Sequence, residues 1–212
     1  MILKFLTRKI LPSRVGMTLI YGLPLVALIA GGSPYLSSPN AYQLVLLTCL
    51  FVHFVKRLLE SWFLHKYSGP MNPLTAVGIA CFYSLTTFFP AYFNRQPVGE
   101  IDPLVYAGLG VFFIGETLNF VHHKILADLR QASMAYVIPR GGLFDLVACP
   151  HYLFEIVSWF GLTLIFRHYS MLLSFLFMVV YLIIRSSFTL KWYREQFPDF
   201  PPDRKAIFPF IL

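Results

Sequence analysis

Charged side chains are scarce in this chain: Asp, Glu, Lys and Arg make up 13% of its 212 residues, against 57% apolar ones. Soluble domains carry about a quarter charged residues. The deficit excludes the soluble classes, and a mean hydropathy of +0.66 points to an integral membrane protein. Cysteine is equally sparse. Cys49, Cys81 and Cys149 are odd in number, far apart and mostly inside apolar runs, which excludes a disulfide framework or a zinc motif and leaves them as packing residues. Histidines are too few for a di-iron histidine box: there are six, only His122 and His123 are adjacent, and no His-x-x-His-His pattern repeats. No metal site is expected, and Ser or Cys nucleophile motifs are missing. No linker, charge block or repeat divides the sequence, so residues 15–212 read as a single transmembrane domain behind a basic segment, residues 1–14. The net charge of +7 recurs beside apolar runs instead of forming one patch, which excludes nucleic acid as a partner.

What is present is a series of apolar runs punctuated by Pro and Gly. Residues 15–31, 41–64, 74–93, 103–119, 151–166 and 169–190 are each consistent with a membrane-spanning helix. The expected fold is an all-α bundle of about six transmembrane helices. The fourth run continues as a helix to Arg130 and carries Glu116, Asn119 and His123 along one stripe. The second ends with His53, Arg57 and Glu60 on one face. Turns are expected at 33–39, at 67–73 and at Asn94-Arg-Gln-Pro97.

The densest stretch is Ile138 to Glu155. Pro139, Gly141 and Gly142 deny a helix before Leu143, and Pro150 suits a first helical position because its missing N–H is an orphan there anyway. A chain break beside a helix start would offer backbone N–H groups and a positive dipole end to a phosphate. His151 and Glu155, at i and i+4, face one direction, and a carboxylate this far into an apolar segment is usually functional. The bland alternative is a broken helix between two spans.

Lys and Arg alternate in the manner of a polytopic protein. Lys4, Arg8, Lys9 and Arg14 precede the first run; Lys56, Arg57 and Lys66 follow the second; Lys124, Arg130 and Arg140 follow the fourth; Lys191, Arg194, Arg204 and Lys205 follow the sixth. Only Arg95 and Arg167 fall on the opposite side. By the positive-inside rule both ends of the chain are cytosolic or matrix-side, and the polar clusters share that face. The acid-free N-terminus is similar to a mitochondrial presequence or a signal anchor, and a retained first span is expected.

Five motifs carry a family resemblance: His53-Phe-Val-Lys-Arg57 with His65-Lys-Tyr-Ser-Gly69; Asn119 with Leu129-Arg130; Tyr136-Val-Ile-Pro-Arg-Gly-Gly-Leu-Phe144; Pro150-His-Tyr-Leu-Phe-Glu155; and Lys191-Trp-Tyr193 with Arg204-Lys-Ala-Ile-Phe-Pro-Phe210. The chain resembles, from Leu11 onward, the catalytic region of steroid 5α-reductases, polyprenol reductases and trans-2-enoyl-CoA reductases, and within them the plant-type 3-oxo-5α-steroid 4-dehydrogenase family proteins. The resemblance implies an oxidoreductase of steroid or lipid metabolism that uses NADPH to reduce a carbon–carbon double bond, usually conjugated to a carbonyl, in a lipid or sterol-like substrate. It also implies cofactor contacts from Arg57, Asn119, His123, Arg130, Tyr136, His151, Glu155 and Tyr193, with His53 at the catalytic end. The endoplasmic reticulum is the expected membrane, with the mitochondrial inner membrane as the alternative.

The departures from the family pattern bear on catalysis. The first family span is not matched, so six spans are expected where members have seven. The Gln-Glu pair and the Tyr after the conserved His, which polarise the substrate ketone in steroid reductases, correspond here to Tyr21-Gly22 and Phe54. His151 and His123 stand where steroid reductases commonly carry Asn and Asp. Tyr21 is therefore the candidate acid. The competing readings are a catalytically degenerate member serving as an accessory subunit of a larger membrane complex, and a membrane methyltransferase, against which the Gly-Gly-Leu-Phe and Lys-Trp-Tyr motifs argue.

Overall fold

The computed structural model describes residues 8–96, 100–132 and 136–211, with the backbone alone at 131 and 132. Lys4 and Pro97, used in the expectations above, lie outside the described residues. Among them are six α-helices: α1 Ser13–Gly32, α2 Ala41–Leu59, α3 Pro73–Phe93, α4 Pro103–Ala132, α5 Pro150–Ile165 and α6 Tyr169–Gln196. The all-α expectation holds. α1, α3, α4 and α6 are long and apolar enough to cross a membrane, which makes this an integral membrane protein. α2 and α5, also expected to span, are not among these four: α2 ends in Lys56 and Arg57, and α5 has 16 residues, about 24 Å of helix at 1.5 Å per residue.

The helices start where local chemistry stops the chain. Asn40 caps α2 in a reciprocal box, its side chain accepting from the Gln43 N–H and its own N–H donating to the Gln43 side chain, both at 2.9 Å. Asn72 accepts from the Thr75 N–H at 3.0 Å ahead of Pro73 in α3. Asp102 does the same for α4, accepting from the Val105 N–H at 3.0 Å. Pro150 opens α5 as the first helical residue.

The chain divides into two compact units, residues 1–106 with 165–174, and residues 107–164 with 175–212. In the first, α1 packs mainly on α3 and also against α2. Polar groups near the helix ends are paired across elements: Tyr35 donates to the Ala91 carbonyl at 2.6 Å, and Gln43 and Asn94 exchange side-chain to backbone bonds at 2.9 and 3.2 Å. Such pairing matters where water cannot substitute.

In the second unit α4 and α5 approach at their backbones. A Cβ on Gly115 would stand 2.5 Å from the Ser158 nitrogen, and one on Gly161 2.5 Å from the Phe112 nitrogen. This is the small-residue contact by which membrane helices pack without a hydrophobic driving force. After α4 the chain crosses the Pro139–Gly142 break, makes a short 3-10 turn at Gly142–Asp145 and enters α5. The segment beyond α6 returns to brace this break: the Lys205 and Ala206 carbonyls accept from the Ala148 and Cys149 N–H groups at 2.8 and 3.0 Å, and the Lys205 N–H donates to Leu146 at 3.0 Å. Large apolar side chains left outside, such as Val26 and Ile29 on α1 and Phe177, Val180, Ile184 and Phe188 on α6, are the surface expected of a chain solvated by lipid.

Candidate active site

Two clusters contain the residues singled out from the sequence, one in each unit. In the first unit the end of α2 widens into a single π-turn at Glu60–Leu64, closed by the His65 N–H donating to the Glu60 carbonyl at 2.9 Å. Such turns are rare and often mark functional positions. Just before it, Arg57 is 4% exposed and joins α2 to α1: its Nη2 donates to the Tyr21 hydroxyl at 2.7 Å, and its carbon lies 4.8 Å from the centre of the Tyr21 ring. Its Nη1 is in close contact with the Glu60 carboxylate, and Lys56 stands 3.6 Å from the other Glu60 oxygen. The buried carboxylate, guanidinium and phenol thus form one chain of charge-assisted contacts.

Aromatic side chains wall this chain in. His53, 1% exposed, meets Phe54 edge-on at 4.9 Å; Phe54 meets Tyr83 at 5.8 Å, and Tyr83 lies 6.0 Å from Tyr21. Phe54 has no hydroxyl to offer, and a Cβ on Gly22 would meet nothing within 4 Å. The Tyr21 hydroxyl accepts from the Arg57 guanidinium, and a phenol, unlike Phe54, can donate as well as accept. Tyr67 is differently committed. It donates to the Ser61 carbonyl at 2.9 Å, and burial pushes its phenol up to about 12.

The second unit gathers Asn119, His123, His151 and Glu155 where α4 passes the start of α5. Asn119 donates to the His151 carbonyl at 2.8 Å, the His123 and His151 rings lie 4.9 Å apart, and Glu155, one turn further into α5, is 3% exposed. Further along, Arg130 lies over the Tyr136 ring at 4.6 Å. Tyr136 meets Trp192 edge-on at 4.9 Å, Trp192 lies 5.0 Å from Tyr193, and Tyr193 stacks on Phe200 at 5.3 Å. The structure therefore brings the seven second-unit candidates into two adjoining groups, one polar and buried, the other a cation among aromatic faces. Tyr21, Arg57 and His53 form the first-unit cluster.

The break before α5 is organised by residues that sequence reasoning did not assign. The His122 Nδ1 lies 2.7 Å from the Leu118 carbonyl, which fixes the proton there, and Nε2 accepts from the Leu143 N–H at 3.2 Å. Its ring stacks on Phe154 at 5.1 Å. Arg204 donates to the Pro139 carbonyl at 2.9 Å on the far side of the break. The helix start expected to receive a phosphate is largely engaged: the Ala148 and Cys149 amides bond to the returning segment, and those of Tyr152 and Leu153 to the Cys149 carbonyl. Cys149 is inert packing, its thiol pushed up to about 12 by burial.

Comparison with known proteins gives these clusters a context. The sequence model of the 3-oxo-5-alpha-steroid 4-dehydrogenase family matches residues 70–212, and the chain belongs to that family. It is 35% identical over 181 residues to a very-long-chain enoyl-CoA reductase of Dictyostelium discoideum, covering 82% of this chain and 60% of that protein. A steroid 5-alpha-reductase of Gossypium hirsutum is 43% identical over 107 residues, which are 50% of this chain and 42% of its own length. The 3-oxo-5-alpha-steroid 4-dehydrogenase 1 of Bos taurus is 30% identical over 213 residues, 95% of this chain and 82% of the bovine one. The chain thus spans less than two thirds of the first two relatives. The family match contains the whole second-unit cluster and ends short of Tyr21, His53 and Arg57.

Proposed function

We propose that the chain is a membrane reductase that uses NADPH to saturate a carbon–carbon double bond conjugated to a carbonyl in a lipid or sterol-like substrate, in the endoplasmic reticulum membrane. The observation that supports this reading is the buried Arg57 to Tyr21 hydrogen bond, which holds a phenol where Gly22 and Phe54 replace the usual acids. When bound, NADPH would supply a hydride to the β-carbon of the substrate. Negative charge then develops on the carbonyl oxygen, and a positioned donor there is worth on the order of 10²-fold in rate. The Tyr21 hydroxyl would give its hydrogen bond and then its proton to that oxygen, regaining one from solvent, and the enol so formed tautomerises to the saturated carbonyl product. Arg57 draws density from the phenol as charge builds, and Glu60 holds Arg57 in place. His53, buried edge-on against Phe54, lies on the same face of α2 as Arg57.

The second-unit residues suit a dinucleotide. Arg130 is a cation for a phosphate, Tyr136, Trp192 and Tyr193 offer ring faces for stacking, and Asn119 and Glu155 present buried polar groups of the kind a carboxamide requires. His123 and His151 would lie beside them.

Turnover of NADPH by the purified full-length protein with an enone lipid tests the reading. Tyr21→Phe should lower turnover by roughly 10²-fold, the general-acid range, with little change in NADPH affinity. Glu155→Leu should abolish NADPH binding while the protein stays inserted. If no enone or enoyl substrate is reduced and Tyr21→Phe alters only the melting temperature, the protein is the accessory subunit of a larger complex.

A further inference from the structure

Along the last turns of α6 lies a groove of about 450 Å³, lined by Leu190, Lys191, Arg194, Glu195, Lys205 and Ile211 among others. Three cations face one carboxylate there. Arg194 is fixed in place, one nitrogen donating to the Pro202 and Arg204 carbonyls at 3.2 and 3.4 Å, which engages only part of its fork. Lys191 and Glu195 are loosely paired at 3.8 Å and exposed. The groove is therefore positively charged, and its cations sit at the end of a membrane helix.

An apolar stripe leads into it. Phe177, Val180, Ile184 and Phe188 are 60, 56, 50 and 64% exposed. At 3.6 residues per turn they align on one face of α6, and Lys191 continues the line. From Phe177 to Phe188 the stripe is about 16 Å long at 1.5 Å per residue, close to the ~15 Å depth of one leaflet's hydrocarbon. Ile211, which also lines the groove, and its neighbour Phe210 are 81 and 80% exposed, and Phe210 holds a left-handed φ of 67° that bulky residues rarely adopt. Apolar side chains so exposed beside a cationic groove suit the boundary between headgroups and acyl chains.

We infer that this groove is a binding site for one anionic phospholipid, its phosphate held by Lys191, Arg194 and Lys205 and its acyl chain lying along Phe188, Ile184 and Val180. A zwitterionic lipid carries its own cation into a site already positive, so the charge selects against it. A leaflet rich in anionic lipid would hold the end of α6 and the returning segment together from outside.

Native mass spectrometry of the purified full-length protein tests this with phosphatidylglycerol and phosphatidylcholine at equal concentration. Phosphatidylglycerol should be retained in preference, and Lys191→Gln with Lys205→Gln should weaken it tenfold or more, the scale expected for two surface cations. Arg8→Gln with Lys9→Gln, a control elsewhere on the basic surface, should leave retention unchanged. Without any variant, affinity should rise from short-chain to long-chain phosphatidylglycerol. Equal retention of the two lipids, equal loss in the control, or indifference to chain length would overturn the proposal. So would displacement by millimolar inorganic phosphate, which would make the groove a soluble-anion site.

Discussion

Arg57 illustrates how one side chain in an apolar chain can be required by its neighbours. It is 4% exposed between the Glu60 carboxylate and the Tyr21 phenol, so removing it leaves that buried carboxylate only Lys56, 3.6 Å away, as a counter-charge. Breaking a buried ion pair from one side costs about 3–5 kcal/mol, whereas replacing both members by apolar groups can be neutral. Arg57→Leu should therefore destabilise the protein strongly, and Arg57→Leu with Glu60→Leu should recover much of the loss; thermal melting in detergent measures both. At the water-facing end of α4, Asp102 has its carboxyl held below the usual range, first by the Val105 N–H and then by Arg167. A depressed folded pKa contributes stability that is present above the unfolded value near 4 and lost as pH falls through the folded one. Asp102→Asn should therefore lower the melting temperature at neutral pH, and the gap between variant and parent should close below about pH 4. Equal gaps at pH 7 and pH 3 would contradict this.

At the scale of elements, hydropathy and punctuation made the helices legible before any coordinate. The first, third and fifth helices end within a residue of the expected positions, α6 continues past the expected Leu190 to Gln196, and Pro150 opens α5 for the reason its chemistry suggests. What could not be read was which remote groups would meet. Nothing local in Tyr21 announces Arg57, 36 residues away. His122 was seen only as the neighbour of His123, because its role depends on a backbone N–H 21 residues on. The engaged amides at the start of α5 were likewise hidden, since their partners come from beyond α6. Gly142 shows the same dependence. It has φ 55°, and a Cβ there would stand 2.8 Å from the His122 Nε2. Gly142→Ala should thus cost about 1–2 kcal/mol from the backbone alone, and adding His122→Ala should relieve only the steric part. Gly161→Ala drives a methyl into the α4 backbone and should cost about 1–3 kcal/mol, read from denaturant or thermal unfolding.

For the whole molecule, the positive-inside rule applied to the basic residues flanking the apolar runs predicts that the segments before Ser13 and after Gln196 lie on one side of the membrane. Protease protection of tags placed in each should be equal, and opposite protection would refute the assignment. The brace between residues 146–149 and 204–206 has a consequence for biosynthesis. Both halves of the bond set must exist before it can close, and the second half is translated only after all of α5 and α6. The break that carries the Gly-Gly-Leu-Phe motif therefore stays open while those helices enter the bilayer, and it is sealed from the aqueous side once residues 204–206 leave the ribosome. A chain truncated after Phe200 would keep all of α5 and α6 yet lack the brace, and its loop would stay open to quality-control proteases.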